Sequence, residues 1–265
     1  MQQESIIIDE QVLRSIINYY AYEPGVRRLK DGLLTILRSF NLRHLMGENI
    51  GPFHRLTLDE AKTLLNQRIY SQQKTHEKPQ VGLINGLSYN YEGCGSLFPI
   101  QISKRFSEKP LVITTTGNFG QSLQESFQVA LTAAWNHLDL QNQTSVSKKC
   151  QGVHIHSLEY YIHKDGPSAG LAVALAFYSL FTDIPITNEL AVTGEIDLYG
   201  NVLKVGGIYE KIQGAKLAGI KKVIIPSRNE ADLQWIKENE PELLDKTIEV
   251  ILVENYKEAI AYIFN

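Results

Sequence analysis

The hydrophobic pattern of this chain changes character on either side of SQQKTHEKP, residues 71–79. Before it, apolar positions recur at helical spacing. Val12, Ile16, Ile17 and Tyr20 share one face of a helix through VLRSIINYYA, and Asp9 stands at the capping position. Pro24-Gly25 breaks that helix. Leu29, Leu33, Leu34, Leu37 and Leu42 then stripe a longer one from about Val26 to His44. Gly51-Pro52 is the next break. Thr57-Leu58-Asp59-Glu60 has the form of a capping box: the Thr57 hydroxyl takes an orphan backbone N–H and Glu60 reaches back. It predicts a short helix ending near Asn66. Residues 71–79 are polar and aperiodic, as a linker is.

After the linker, strand and helix periods alternate. Strands are expected at 80–91, 96–103 and 110–116, with a turn from Gly117 to Gly120. An amphipathic helix follows at about 121–139, with Leu123, Phe127, Val129, Ala130 and Ala134 toward the core, then a polar loop at 141–149. VHIHSL, 153–158, alternates like a strand, and an apolar helix opens at Ser168 and runs to about Phe181. Strands 189–196 and 202–205 flank Gly200-Asn201, a two-residue hairpin turn. Helix 206–218, strand 222–226, helix 228–238, strand 247–253 and helix 255–264 complete the chain. The expectation is an α/β (α+β) fold with strands of mixed direction. It comprises a helical subdomain over 1–70, a linker over 71–79 and a second domain over 80–265, with no internal repeat.

Composition narrows the class. With 265 residues the chain suffices for one large domain or two small ones. Hydrophobic residues make up 43% and charged residues 21%, an ordinary globular mixture. No apolar run approaches the roughly 18 residues of a membrane span. The start, MQQESIIIDEQ, lacks the basic and apolar regions of a secretory signal. Two cysteines, Cys94 and Cys150, are too few for a disulfide framework and point to a reducing compartment. A net charge of −3 gives no global reason to expect nucleic-acid binding.

The segment KDGPSAG, 164–170, carries the sharpest chemical signal. Gly166 and Pro167 force a tight turn, and Ser168 follows at a helix start. There the helix dipole favours developing negative charge, and backbone N–H groups around Pro167, Ser168 and Ala169 can hold an oxyanion. A plain helix cap explains the same serine. A nucleophilic serine also needs a base. Lys211 lies in a predicted helix with apolar Ile208, Ile212 and Ala215 at helical spacing. A lysine on that face is desolvated, which lowers its pKa. Lys204 and Lys216 lack that setting and fit snorkelling side chains.

KDGPSAG, then TGEIDLYGNVLKVGG from Thr193, then IYEKIQGAKLAGIKKVIIP resembles the proteolytic domain of the Lon protease family. The resemblance implies that Ser168 is the nucleophile, Lys211 its partner, Thr193 a hydrogen-bonding support for the lysine, and Asp165 a neighbour influencing access and geometry. TGNFGQSLQES, 116–126, and VGLINGLSY, 81–89, resemble further segments of the same domain. YYAYEPGVRRLKDGL resembles the end of the small helical part of the family's ATPase module, where the counterpart of Arg27 senses nucleotide. No G-x-x-x-x-G-K-[ST] occurs, so the P-loop is absent and the chain reads as a C-terminal portion of a longer protein.

Two departures from the family pattern stand out. HSLEYYIH, 156–163, puts Leu158, Tyr160, Tyr161, Ile162 and His163 before the nucleophile where smaller residues and prolines are usual. Large side chains there narrow the cleft or reshape preference. Gln101 and Tyr89 replace a common Glu and Trp. Two other constellations compete. His154 and His156 share a strand face and with His163 or Cys150 offer zinc ligands, without a convincing fourth. A Ser–His–Asp triad of Ser168, a histidine and Asp165 needs two members three positions apart, whereas triad members come from separate elements.

The resemblance thus implies a serine endopeptidase with a Ser–Lys dyad, the proteolytic part of an ATP-dependent protease degrading misfolded or regulatory proteins. It needs no metal or cofactor for the peptidase chemistry; ATP and Mg²⁺ belong to the missing ATPase module. Unfolded or damaged proteins are the expected substrates, and a homo-oligomer, a hexameric ring in the family, the expected assembly. Membrane partners are not expected, and net acidity argues against nucleic acid. The compartment is bacterial cytoplasm or mitochondrial matrix. The alternative is a catalytically silent module of the same kind that binds unfolded chains or assembles a ring.

Overall fold

The computed structural model describes residues 5–21, 23, 25–48, 53–66, 76–90, 93–108, 111–149, 152–158 and 162–264. Pro24, Gly51-Pro52, residues 71–75 of the expected linker, Cys150, Tyr160 and Tyr161 lie outside them. The chain divides into two compact units, Met1–Ser71 with Tyr91–Cys94, and Gln72–Asn90 with Gly95–Asn265.

The first unit holds strand β1 (Ser5–Ile7), helices α1 (Glu10–Tyr20) and α2 (Arg27–Leu45), strand β2 (Phe53–Arg55) and helix α3 (Leu58–Leu65). The expected stripes face inward: Val12, Ile16 and Tyr20 pack with Ile36, Phe40, Leu56, Ala61 and Leu65 in one core. The capping box forms as read. Glu60 N donates to Thr57 Oγ1, and Thr57 N donates to Glu60 Oε2 at 3.0 Å. Asp9 occupies the cap position of α1, but its carboxylate accepts from Arg55 Nη1 at 2.8 and 3.0 Å instead of capping. That ion pair accompanies the parallel pairing of β1 with β2, two strands the periodicity did not signal.

The second unit is built on a mixed seven-stranded sheet in the order β11-β10-β7-β3-β4-β6-β5. Its strands are β3 (Leu83–Tyr89), β4 (Gly95–Arg105), β5 (Val112–Thr116), β6 (Gly152–Ser157), β7 (Leu190–Val192), β10 (Lys222–Pro226) and β11 (Glu249–Val253). β3 pairs antiparallel with β4, and β4 with β6; the remaining neighbours are parallel. One core lies among the sheet, α4 (Gln121–Asn136), α6 (Gly170–Thr182) and α9 (Tyr256–Phe264). α6 is apolar all round because nearly every side chain along it is buried. Tyr256, fully buried, donates its hydroxyl to Ala174 O at 2.6 Å. A second core joins the sheet to α7 (Ile208–Leu217) and α8 (Glu230–Asn239).

Two expectations need correction. Residues 141–149 are not a loop but most of helix α5 (Leu140–Lys149), whose LQNQTSVSKK buries Val146, exposes Leu140 and is otherwise polar. Strand 189–196 is two elements. β7 ends at Val192, and β8 (Glu195–Ile196) pairs with β9 (Val202–Leu203) in a separate hairpin. Gly200-Asn201 is not its two-residue turn; residues 197–201 form a longer loop organised by Asp197, which accepts from Tyr199 N and Asn201 N, both at 2.9 Å.

Candidate active site

Gly166, at φ 99°, reverses the chain, and Pro167 opens the 3₁₀ turn Pro167–Ala169 immediately before α6. Ser168 therefore sits in that turn, two residues before the helix begins at Gly170. Asp165 moors the turn. Its Oδ1 accepts from Gly166 N at 2.8 Å and from Leu123 N at 3.0 Å, so it also caps the start of α4, where Gly120 has no side chain to do so. A Cβ on Gly120 would stand 2.2 Å from Asp165 Cγ. The Gly166 and then the Leu123 N–H hold the Asp165 carboxyl below its ordinary range.

From the other side, the break after β7 grips the same turn. Ser168 O accepts from Gly194 N at 2.8 Å and from Thr193 Oγ1 at 3.1 Å, and Leu171 N donates to Gly194 O at 2.9 Å. Thr193 N still donates to Ile224 O of β10 at 3.0 Å, so the residue holds to the sheet while its side chain and the next N–H reach the Ser168 carbonyl. Its side chain is buried and meets Lys211, whose Nζ donates to Thr193 Oγ1 at 3.0 Å.

Lys211 is only 1% exposed, among buried Ile208, Ile212 and Ala215, as its helical spacing required. Burial lowers its pKa to about 8, against the opposing field of Glu210. The ring of Tyr89 lies across it, with Nζ 5.6 Å from the centroid. Two glycines that sequence reading did not single out set the lysine's place. A Cβ on Gly95 would stand 1.6 Å from Glu210 O, and one on Gly214 would stand 2.5 Å from Gly95 C. α7 thus lies directly on the backbone of β4. The available signals were a glycine inside a helix pattern and the Gly-Cys-Gly before a strand. Asn229, fully buried, bonds Val205 through both N and O and fixes the approach to α7.

The Thr193 hydroxyl has one hydrogen, directed to Ser168 O, so it accepts from Lys211. A neutral Lys211 amine then keeps its lone pair for another partner. Ser168 Oγ has no hydrogen-bond partner among the described residues, and its bond to Lys211 is not closed. Thr193 is what joins the two. Of the three expected oxyanion positions, Pro167 has no N–H and cannot donate; Ser168 and Ala169 can.

The remaining candidates lie apart. Arg27 is exposed at the first position of α2, in the first unit. His154 Nε2 and His156 Nδ1 each bond Thr116 Oγ1, at 2.9 and 2.8 Å, and among the described residues no group of three metal-binding side chains occurs. Asp165 is hydrogen-bonded by backbone N–H groups and feels His163 only through its charge, so among the described residues no histidine bridges it to Ser168. Leu158 and Ile162 are partly exposed, at 37% and 43%. No helix among the described residues is long and apolar enough to cross a membrane.

Comparison with known proteins places this chain in a family. Residues 55–265 match the Lon protease (S16) C-terminal proteolytic domain, and residues 1–53 match the Lon protease AAA+ ATPase lid domain. The Lon protease of Clostridioides difficile (strain 630) is 34% identical over 260 residues, covering 98% of this chain and 32% of that protein. The Lon protease of Aquifex aeolicus (strain VF5) is 36% identical over 255 residues, covering 96% and 31%. The chain spans about a third of the length of these curated relatives. It belongs to the Lon protease family, and residues 55–265 carry that family's C-terminal proteolytic domain, a serine-type peptidase.

Proposed function

We propose that Ser168 and Lys211 form the catalytic dyad of this peptidase. The observation that carries the reading is the buried Lys211 amine, hydrogen-bonded through Thr193 to the backbone of Ser168. In the reaction, neutral Lys211 takes the Ser168 hydroxyl proton as Oγ attacks the scissile carbonyl carbon. The N–H groups of Ser168 and Ala169 hold the oxyanion. The Lys211 ammonium returns its proton to the departing amine as the peptide C–N bond breaks. Lys211 then deprotonates a water that cleaves the acyl ester and restores Ser168. Catalytic hydrogen bonds are often open before substrate arrives, which fits the unclosed Ser168–Lys211 pair.

In the same reading, the N-terminal part, which matches the lid domain over residues 1–53, is the end of an ATPase module. The P-loop is absent from this sequence, so no step here runs through ATP or Mg²⁺, and Arg27 senses nucleotide only when joined to the rest of such a module. Substrates are unfolded or damaged proteins, the assembly is a homo-oligomeric ring, and the compartment is a reducing one, cytoplasm or mitochondrial matrix. The catalytically silent reading draws on Ser168 Oγ, which has no hydrogen-bond partner among the described residues, and on the exposed Leu158 and Ile162. Labelling with a peptide boronate, followed by mass mapping, separates the two. An adduct on Ser168 that is lost in Lys211→Met supports the dyad; an unlabelled Ser168 supports the silent module.

A further inference from the structure

A cleft of about 180 Å³ lies between the first turn of α7 and one face of α8. Its floor is buried Ile208 and Ile236. Tyr209 and Trp235 form an aromatic wall, edge to face with centroids 6.3 Å apart, and Trp235 is 52% exposed. Two carboxylates complete the lining, and they differ. Asp232 is already neutralised by Lys204 at 3.0 Å and takes Asn229 Nδ2 at 2.7 Å. Glu210 is half-buried and has no hydrogen bond or ion pair from a side chain among the described residues.

An aromatic face beside a carboxylate that no side chain hydrogen-bonds, among the described residues, is the chemistry that recognises a cation, although Glu210 also feels the field of Lys211. The start of α7 opposes it with about half a positive charge, less than the full charge of Glu210. The volume accommodates one side chain and falls short of the roughly 300 Å³ of a small-molecule pocket. A planar guanidinium stacks on an indole and pairs with a carboxylate at once, which an ammonium does less well. We propose that this cleft is a binding site for an arginine side chain presented by a polypeptide. Occupancy sets a positive charge beside Glu210, the residue next to Lys211. That coupling rests on the dyad reading; the binding itself does not.

The test uses the full chain and Nα-acetyl-argininamide as probe, followed by the indole N–H resonances of Trp235 and Trp135 in NMR, assigned with Trp235→Phe. The expected result is a saturable shift at Trp235, with a dissociation constant in roughly the millimolar range, and none at Trp135. The uncharged citrulline analogue should leave Trp235 unmoved, and Glu210→Gln should weaken binding about fivefold with the rest of the spectrum intact. No shift at Trp235, an equal response to citrulline, or undiminished binding to Glu210→Gln overturns the proposal.

Discussion

Lys211 Nζ donates to Thr193 Oγ1 at 3.0 Å, a bond that ties helix α7 to the stretch just after β7. Thr193 in turn donates to the carbonyl of Ser168. A single hydroxyl therefore fixes the lysine against the nucleophile's backbone while leaving the amine lone pair unused. Loss of the hydroxyl leaves the packing nearly unchanged in Thr193→Val. The amine then has no acceptor in a buried place, which costs about 1–3 kcal/mol of stability. Turnover should fall about 10- to 100-fold with KM little changed, because the lost interaction orients the base and does not bind substrate. Steady-state kinetics on a fluorogenic peptide check this; unchanged kcat would remove Thr193 from the machinery.

Protonation of Lys211 sets the pH dependence of activity. The base works only as the neutral amine, and burial brings its pKa to about 8. At pH 7 about a tenth of the molecules hold a neutral Lys211. kcat/KM should therefore rise about tenfold from pH 7 to a plateau above pH 9, with a midpoint near 8. A profile flat across that range, or one with a midpoint near the ordinary lysine value, would exclude Lys211 as the base.

Stability should respond to the same group. Its folded pKa of about 8 lies below the ordinary 10.5, so between these values the unfolded chain holds a proton that the folded chain has released. Stability consequently rises with pH across this window and is flat with respect to Lys211 on either side. The displacement corresponds to about 3 kcal/mol. The difference in urea stability between the parent and Lys211→Met should change in that direction from pH 8 to 10.5. A parallel pair of curves would mean that the amine is not desolvated in the folded state.

What could be read from sequence was what is local. The Thr57–Glu60 box is complete within four residues, and the Lys211 face was set by Ile208, Ile212 and Ala215 on the same helix. The Ser168 and Lys211 segments were legible as a resemblance, with chemistry that composition alone does not supply. What escaped depends on distant partners. β1 and β2 are three residues each and acquire strand geometry only from one another. α5 buries Val146 and little else, too weak a stripe for periodicity to register. The alternation through 189–196 continued past Val192, while the backbone of Gly194 was captured by Ser168 and Leu171. That capture turned an apparent strand into the support of the candidate site.

The contact between α7 and β4 offers the strongest mutational test of how Lys211 is held. At Gly95 a methyl group would stand 1.6 Å from Glu210 O and 2.3 Å from Glu210 C, both backbone atoms of the helix that carries the lysine. No rotamer relieves such a clash, so α7 must shift from the strand. In Gly95→Ala the expected loss is several kcal/mol, in the range of severe core overpacking. Boronate labelling of Ser168 should fall with it even in molecules that remain folded, because the base has moved. Gly25→Ala is the matched control, with nothing within 4 Å of the added Cβ, and should leave thermal stability within about 1 kcal/mol of the parent. If Gly95→Ala labels as the parent does, then the close approach of helix and strand is not what positions Lys211.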